Sequence, residues 1–120
     1  MTFYIYRCII NIKNESEAKM DIRELINMAR QGNSKCQAWL AQYYTGEIEG
    51  VKQDYKMAFE WAKRAFENGE QIEAPFVLAL CLFNGQGIDK NNDLGYQCLC
   101  VAVQNGNKLA RNFKKEVFGE

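Results

Sequence analysis

Apolar positions recur along this chain at helical spacing. Ala58, Trp61, Ala62, Ala65 and Phe66 follow one another at steps of three, one, three and one. That spacing lines one face of an amphipathic helix. Asp54 stands where such a helix starts, and Gly69 follows its last position as a helix stop, so the helix is expected to end at Asn68. Ile22, Leu25, Ile26 and Ala29 make an earlier stripe ended by Gly32, with Asn14 or Ser16 as the expected cap and an end near Gln31. Asn14 with Glu17 has capping-box spacing, and so has Ser34 with Gln37 before the next helix, which should reach Thr45. A further helix carries Pro75 in its first turn, where the missing N–H costs nothing. The last two are expected from about Asn92 to Asn105 and from Lys108 to about Phe118. Gly95 inside a helix costs roughly 1 kcal/mol against alanine, a cost that close helix approach would explain.

These stripes repeat. Gly50, Val51, Ala58, Ala65 and Gly69 have counterparts in Gly87, Ile88, Gly95, Ala102 and Gly106, each 37 residues later, and Gly32 precedes Gly69 by the same interval. The alternate helices share a small-xxx-Leu-Ala-xx-large form: Cys36, Leu40, Ala41 and Tyr44, then Ala74, Leu78, Ala79 and Leu82. One period is helix, glycine-bearing loop, helix, glycine stop. Such a pair cannot bury both faces alone, so neighbours must stack. The fold class expected is all-α: a short superhelical solenoid of helix-turn-helix repeats. Its parts would be an N-terminal helix over 14–32, repeats over 33–69 and 70–106, and a capping helix over 107–120.

At these positions the chain resembles the Sel-one-like repeat family, relatives of the tetratricopeptide repeat. The family pattern is met by Cys36, Leu40, Ala41, Tyr44, Gly50, Val51, Asp54, Ala58, Trp61, Ala65 and Gly69. It is met again by Ala74, Leu78, Ala79, Leu82, Gly85, Gly87, Ile88, Asn91, Gly95, Cys98, Ala102 and Gly106. The departures are one extra residue in the first loop, one more between Ile72 and Ala74, and Lys114 and Lys115 where Leu and a small residue belong. The third copy therefore looks like an end cap. The resemblance implies a non-catalytic protein-binding module. It also brings to mind the small members that serve as immunity proteins beside bacterial toxins, matching this chain in size.

Residues 1–13 stand outside the repeat, and within them 3–12 are apolar, β-branched and aromatic, interrupted by Arg7. They lack a signal-peptide cleavage site and are too short to span a bilayer. A short strand or extended segment packed on the solenoid is expected. A disordered leader, or a start codon called upstream of a true start at Met20, are the alternatives.

Composition then narrows the chemistry. Fifteen basic and fifteen acidic residues cancel, which gives no basic patch for nucleic acid. The absence of histidine removes the commonest general base and metal ligand. Cys98 and Cys100 point to different sides of a helix, no CxxC exists, and reduced core thiols in a cytoplasmic protein are expected. The cysteine-rich secreted branch of the resembling family would place its pairs where Phe66 and Val103 stand. Asp89, Asn91 and Asp93 imitate the start of a calcium loop, but the glycine is displaced and Cys100 stands where the bidentate acid belongs. Glu47 and Glu49 flank a loop and read as solvated. No cofactor, metal or catalytic residue is expected, and no membrane contact.

Binding is the remaining class. In helical-repeat solenoids the first helix of each hairpin lines the concave side. The inner row then comprises Lys35, Ala38, Gln42 and Thr45, then Glu73, Phe76, Leu80 and Phe83, then Asn112 and Glu116. The second group is apolar beyond what the packing stripe requires. An exposed apolar patch with a polar rim marks a partner site. A groove for one protein partner is expected there. Cover by residues 3–12 and a homodimer contact are the other readings of the patch. For the chain as a whole, the alternatives are a structural fragment of a larger repeat scaffold and a hydrolase of small substrates.

Overall fold

The computed structural model describes residues 21–46 and 52–120. Among these, the chain forms six helices and no strand: α1 Ile22–Arg30, α2 Ser34–Tyr44, α3 Tyr55–Glu67, α4 Ala74–Asn84, α5 Asn92–Gln104 and α6 Lys108–Phe118. The expected strand or extended segment at 3–12, the caps at Asn14 and Ser16, and the acids Glu47 and Glu49 lie outside the described residues. Within them, α1 begins after Asp21, whose carboxylate accepts from the Arg23 N–H. The packing is that of an all-α solenoid. Consecutive helices stack, the pairs α2–α3 and α4–α5 form the two hairpins, α2 touches α4, and α6 closes on α5.

The period is visible in the hydrogen bonds. Gly32, Gly69 and Gly106 each end a helix at φ between +93° and +100°, a region that favours glycine. The residue after each closes the turn: Asn33 N–H donates to Met28, Glu70 to Ala65 and Asn107 to Ala102, at 2.9–3.1 Å. Asp54 and Asn91 cap α3 and α5 through Oδ1, accepting from Met57 and Leu94 N–H at 3.2 and 3.1 Å. Their own N–H groups donate to the carbonyls of Tyr44 and Leu82, at 2.8 and 3.0 Å, and so tie the end of each first helix to the start of the second.

The insertion before α4 is absorbed by one side chain. Asn33 and Asn107 cap α2 and α6 directly, accepting from Cys36 and Ala110 N–H at 3.0 and 2.9 Å. Their counterpart 37 residues on from the first is Glu70. Its longer side chain reaches across the extra residue, and Oε1 accepts from Ile72, Glu73 and Ala74 N–H at 3.2, 2.8 and 2.8 Å. Ser34 with Gln37 does not act as a capping box. Asn33 takes the cap, and Gln37 turns inward instead.

Small residues set the helix spacing. Ala58, Ala62 and Ala65 on α3 and Ala102 on α5 are fully buried. A Cβ at Gly95 would meet two ring carbons of Phe83 at 3.0 Å, so the glycine lets α5 approach α4. Gly87 lies at φ +79°, and a Cβ there would stand 2.3 Å from the Tyr55 carbonyl oxygen, so the second loop rests on the first turn of α3.

Helix α4 is the centre of the core. Every residue from Ala74 to Phe83 is buried. A helix that is apolar all round is one enclosed on every side. Each large side chain buried there contributes about 1.5–3 kcal/mol.

Candidate protein-interaction surfaces

The inner row of first helices α2, α4 and α6 is not an exposed apolar patch. Phe76 and Leu80 are 0 % exposed and Phe83 9 %. Aromatic packing with α6 accounts for part of this. Phe113 meets Phe76 edge-on with ring centroids 5.9 Å apart and stacks on Phe83 at 6.0 Å, while Phe118 lies 5.7 Å from Phe83. The expectation of a solvent-facing apolar group in the second hairpin is thus corrected: these side chains are core. Ala38, Gln42 and Thr45 are buried too. Ala38 packs against Ala65 of α3 and Ala74 of α4. The Thr45 hydroxyl donates to the Gln42 carbonyl at 2.5 Å. Among the described residues none hydrogen-bonds the enclosed Gln42 Oε1, a cost of about 1–3 kcal/mol. Of the positions expected to meet a partner, Lys35, Asn112 and Glu116 are exposed and Glu73 half-buried. Lys35 Nζ sits 5.9 Å from the centroid of Trp39, which directs it along the α2 surface.

Polar contacts between repeats were not legible in advance. Gln37 Nε2 donates to the Ala29 carbonyl at 2.9 Å, and its Oε1 accepts from Asn68 Nδ2 at 2.9 Å. One side chain thus joins α1, α2 and the end of α3. Asn107 Nδ2 donates to the Ile72 carbonyl at 2.8 Å and binds the α6 start to the lead-in of α4. Only the capping-box spacing at Gln37 hinted that this position mattered.

A shallow cleft of about 430 Å³ opens where α4 ends, α5 begins and α6 ends, lined by Phe83, Asn92, Asp93, Tyr96, Val117 and Phe118. Val117 and Phe118 are 52 % and 41 % exposed. The Tyr96 hydroxyl donates to the Glu120 carboxylate, and that bond, more than any other cause, pushes the phenol up to about 12. Lys114 joins the same group, with Nζ 3.7 Å from Glu120 and 5.7 Å from the Tyr96 ring centroid. The lysine that replaces the repeat's leucine therefore has local partners.

Cys36, Cys81, Cys98 and Cys100 are free thiols, the first two buried and the others half-buried; Cys8 lies outside the described residues. Burial raises the Cys36 and Cys98 thiols and pushes Cys81 up to about 12. Such thiols are poor nucleophiles, because the thiolate is the reactive form. Among the described residues, no cluster of acids and cysteines could hold a metal ion, and no helix is long and apolar enough to cross a membrane.

The Sel1 repeat model matches residues 34–70 and 72–107. This chain belongs to the Sel1 repeat family. The two matched units contain the hairpins α2–α3 and α4–α5. Among solved structures, the chain is similar to a Sel1 repeat protein from Oxalobacter formigenes, at 24 % identity and a TM-score of 0.68, over 96 % of this chain and 88 % of that one. It is also similar to cysteine-rich protein B of Helicobacter pylori, at 18 % identity and a TM-score of 0.67, over 92 % and 89 %. At those identities the likeness concerns the fold. Sel1 repeat proteins generally mediate protein–protein interaction and are typically non-catalytic scaffolds.

Proposed function

We propose that this Sel1 repeat chain is a non-catalytic module that holds one protein partner along the side lined by α2, α4 and α6. The observation that carries this is the exposure of Lys35, Asn112 and Glu116 on the first and last helices of the row, beside a core that holds those helices in place. Phe76, Leu80 and Phe83 are locked into the core, while Lys35, Asn112 and Glu116 project from the first and last helices of the same row. A rigid scaffold lowers the ordering cost of binding. Charges of opposite sign at the two ends of the row, Lys35 and Glu116, would set the partner's orientation. The buried aromatics act through the scaffold and not as anchors.

Toxin neutralisation in the cytoplasm is one form of this reading, suggested by the resemblance and by chain size. It predicts that co-expression protects a host from a toxin encoded beside this gene. The general reading is tested by reversing the rim charges, Lys35→Glu with Glu116→Lys. Melting temperature should stay at the wild-type value while capture of the native partner falls. Phe76→Asp serves as the contrast and should lose the fold itself. Full capture by the charge-reversed protein would remove the groove from consideration.

A further inference from the structure

The outer face of α6 is the place where the repeat would seat its next hairpin. The first repeat shows what that face does. On α2, Gln37 bonds to Asn68 at the end of α3, Ala38 packs against Ala65 of α3 and Ala74 of α4, and Ala41 is fully buried. On α4 the corresponding Pro75, Phe76 and Ala79 are buried as well. The α6 counterparts of Gln37, Ala38 and Ala41, each 74 residues on, are Arg111, Asn112 and Lys115, and all three are exposed. Lys108, the counterpart of Ser34, extends the same face one turn toward the helix start and is exposed too. Lys108, Arg111 and Lys115 stand at i, i+3 and i+7, so three cations share one stripe. Beside the stripe lie the half-exposed Phe118 and the apolar cleft it forms with Tyr96 and Phe83.

We propose that this end face docks an acidic amphipathic α-helix of a partner protein, seated on α6 as α3 is seated on α2. A helix is the shape that fits, because the corresponding positions already meet helices: Ala38 of α2 packs against Ala65 of α3 and Ala74 of α4, and Phe76 of α4 meets Phe113 of α6. The charge follows from the three cations, all exposed along one stripe. The apolar cleft supplies the contact that a bare polyanion would not use. α6 carries four cations, Lys108, Arg111, Lys114 and Lys115, against the single acid Glu116, while acids and bases balance over the chain. The proposal takes the interaction-module function as its basis and shares Asn112 with the groove rim, but its contacts are Lys108, Arg111, Lys115 and the cleft.

The test uses the full chain and a defined probe. The probe is the α3 segment, residues 55–67, made as a helix-stabilised peptide with Lys56→Glu, Lys63→Glu and Arg64→Glu. It should bind saturably by titration calorimetry. Arg111→Glu with Lys115→Glu should weaken it by about tenfold or more, and the unmodified α3 peptide should bind less tightly than the acidic one. Val117→Asp, at the cleft, should also weaken the acidic peptide. Both sites are exposed, so melting temperatures should not change. Lys35→Glu alone, on α2, should leave this binding intact while weakening capture in the groove, which separates failure here from failure of the groove. No binding, or equal binding by the charge-reversed protein, would reduce the stripe to a solvated end cap. Tighter binding of polyglutamate or single-stranded DNA than of the helix would overturn the helical partner. A dimer in sedimentation that the same substitutions disperse would assign the face to a second copy.

Discussion

Glu70 offers the sharpest test of how this chain keeps its register. One carboxylate oxygen satisfies the N–H groups of Ile72, Glu73 and Ala74, and the residue is only 7 % exposed. Glu70→Ala would leave three donors at the entry to the central helix. The Ala74 N–H is buried and cannot turn to water, whereas the Ile72 end is open to solvent. A lost cap costs about 1–2 kcal/mol, and bonds to a charged acceptor run higher than neutral ones. A total of about 2–3 kcal/mol is expected, or a fall in melting temperature on the order of 10 °C. Glu70→Asn is the more telling variant. Asparagine caps α2 and α6 at the equivalent positions, but there the helix begins at the next residue, whereas α4 begins four residues after Glu70. The asparagine side chain is too short to reach Ala74, so it should cost nearly as much as alanine. Glu70→Gln keeps the reach and loses the charge, and should fall between, at about 1 kcal/mol. Urea unfolding followed by far-ultraviolet circular dichroism would rank the three. An asparagine variant as stable as wild type would show that reach plays no part.

Gly87→Ala should destabilise by more than about 2 kcal/mol in the same assay, since a positive φ and contact with a fixed carbonyl act together; a cost below about 0.5 kcal/mol would mean that the loop does not rest on α3. Trp61→Ala, emptying a site only 6 % exposed between helices, should cost about 3–5 kcal/mol by thermal melting, and a melt unchanged from wild type would refute the packing. Cys81 is raised from 9.0 to about 12 by burial, so the folded state keeps a proton that the unfolded chain releases. Its contribution is therefore whole below about pH 9 and lost as pH rises toward 12. Alkylation by iodoacetamide at pH 9 should reach Cys81 only on unfolding, and rapid modification of the native protein would contradict that burial.

Most of the solenoid was legible because period and chemistry agree within each unit. The α3 stripe, its Asp54 cap and its glycine stop point to one helix, and α5 repeats the message with Asn91 and Gly106. The start of α1 was not legible, because Asn14 and Ser16 have the right spacing while the cap belongs to Asp21. Asn33 was hidden in the same way by Ser34 and Gln37, whose spacing imitates a capping box. Spacing identifies residues able to cap; only backbone geometry decides which one does.

The misread surface has a different cause. Hydrophobic periodicity separates core from solvent only when a helix has a polar face to contrast with its apolar one. Helix α4 has none from Ala74 to Phe83, so the pattern itself announces enclosure on all sides. Assigning Phe76, Leu80 and Phe83 to a groove meant taking α4 as an average first helix of a repeat. α2 carries Lys35, Gln37 and Gln42 where the second repeat carries Glu73 just before α4 and Pro75 and Leu80 on it, and α6 carries Lys108, Arg111, Lys114 and Lys115. The three first helices are thus graded from mixed, through wholly apolar, to cationic. Among the described residues, α4 packs against α2, α3 and α5 and meets Phe113 of α6, while α6 packs mainly on α5. Composition along the first helices therefore reports position in the stack. The exposed chemistry has to be sought where the grading ends, at the outer face of α6.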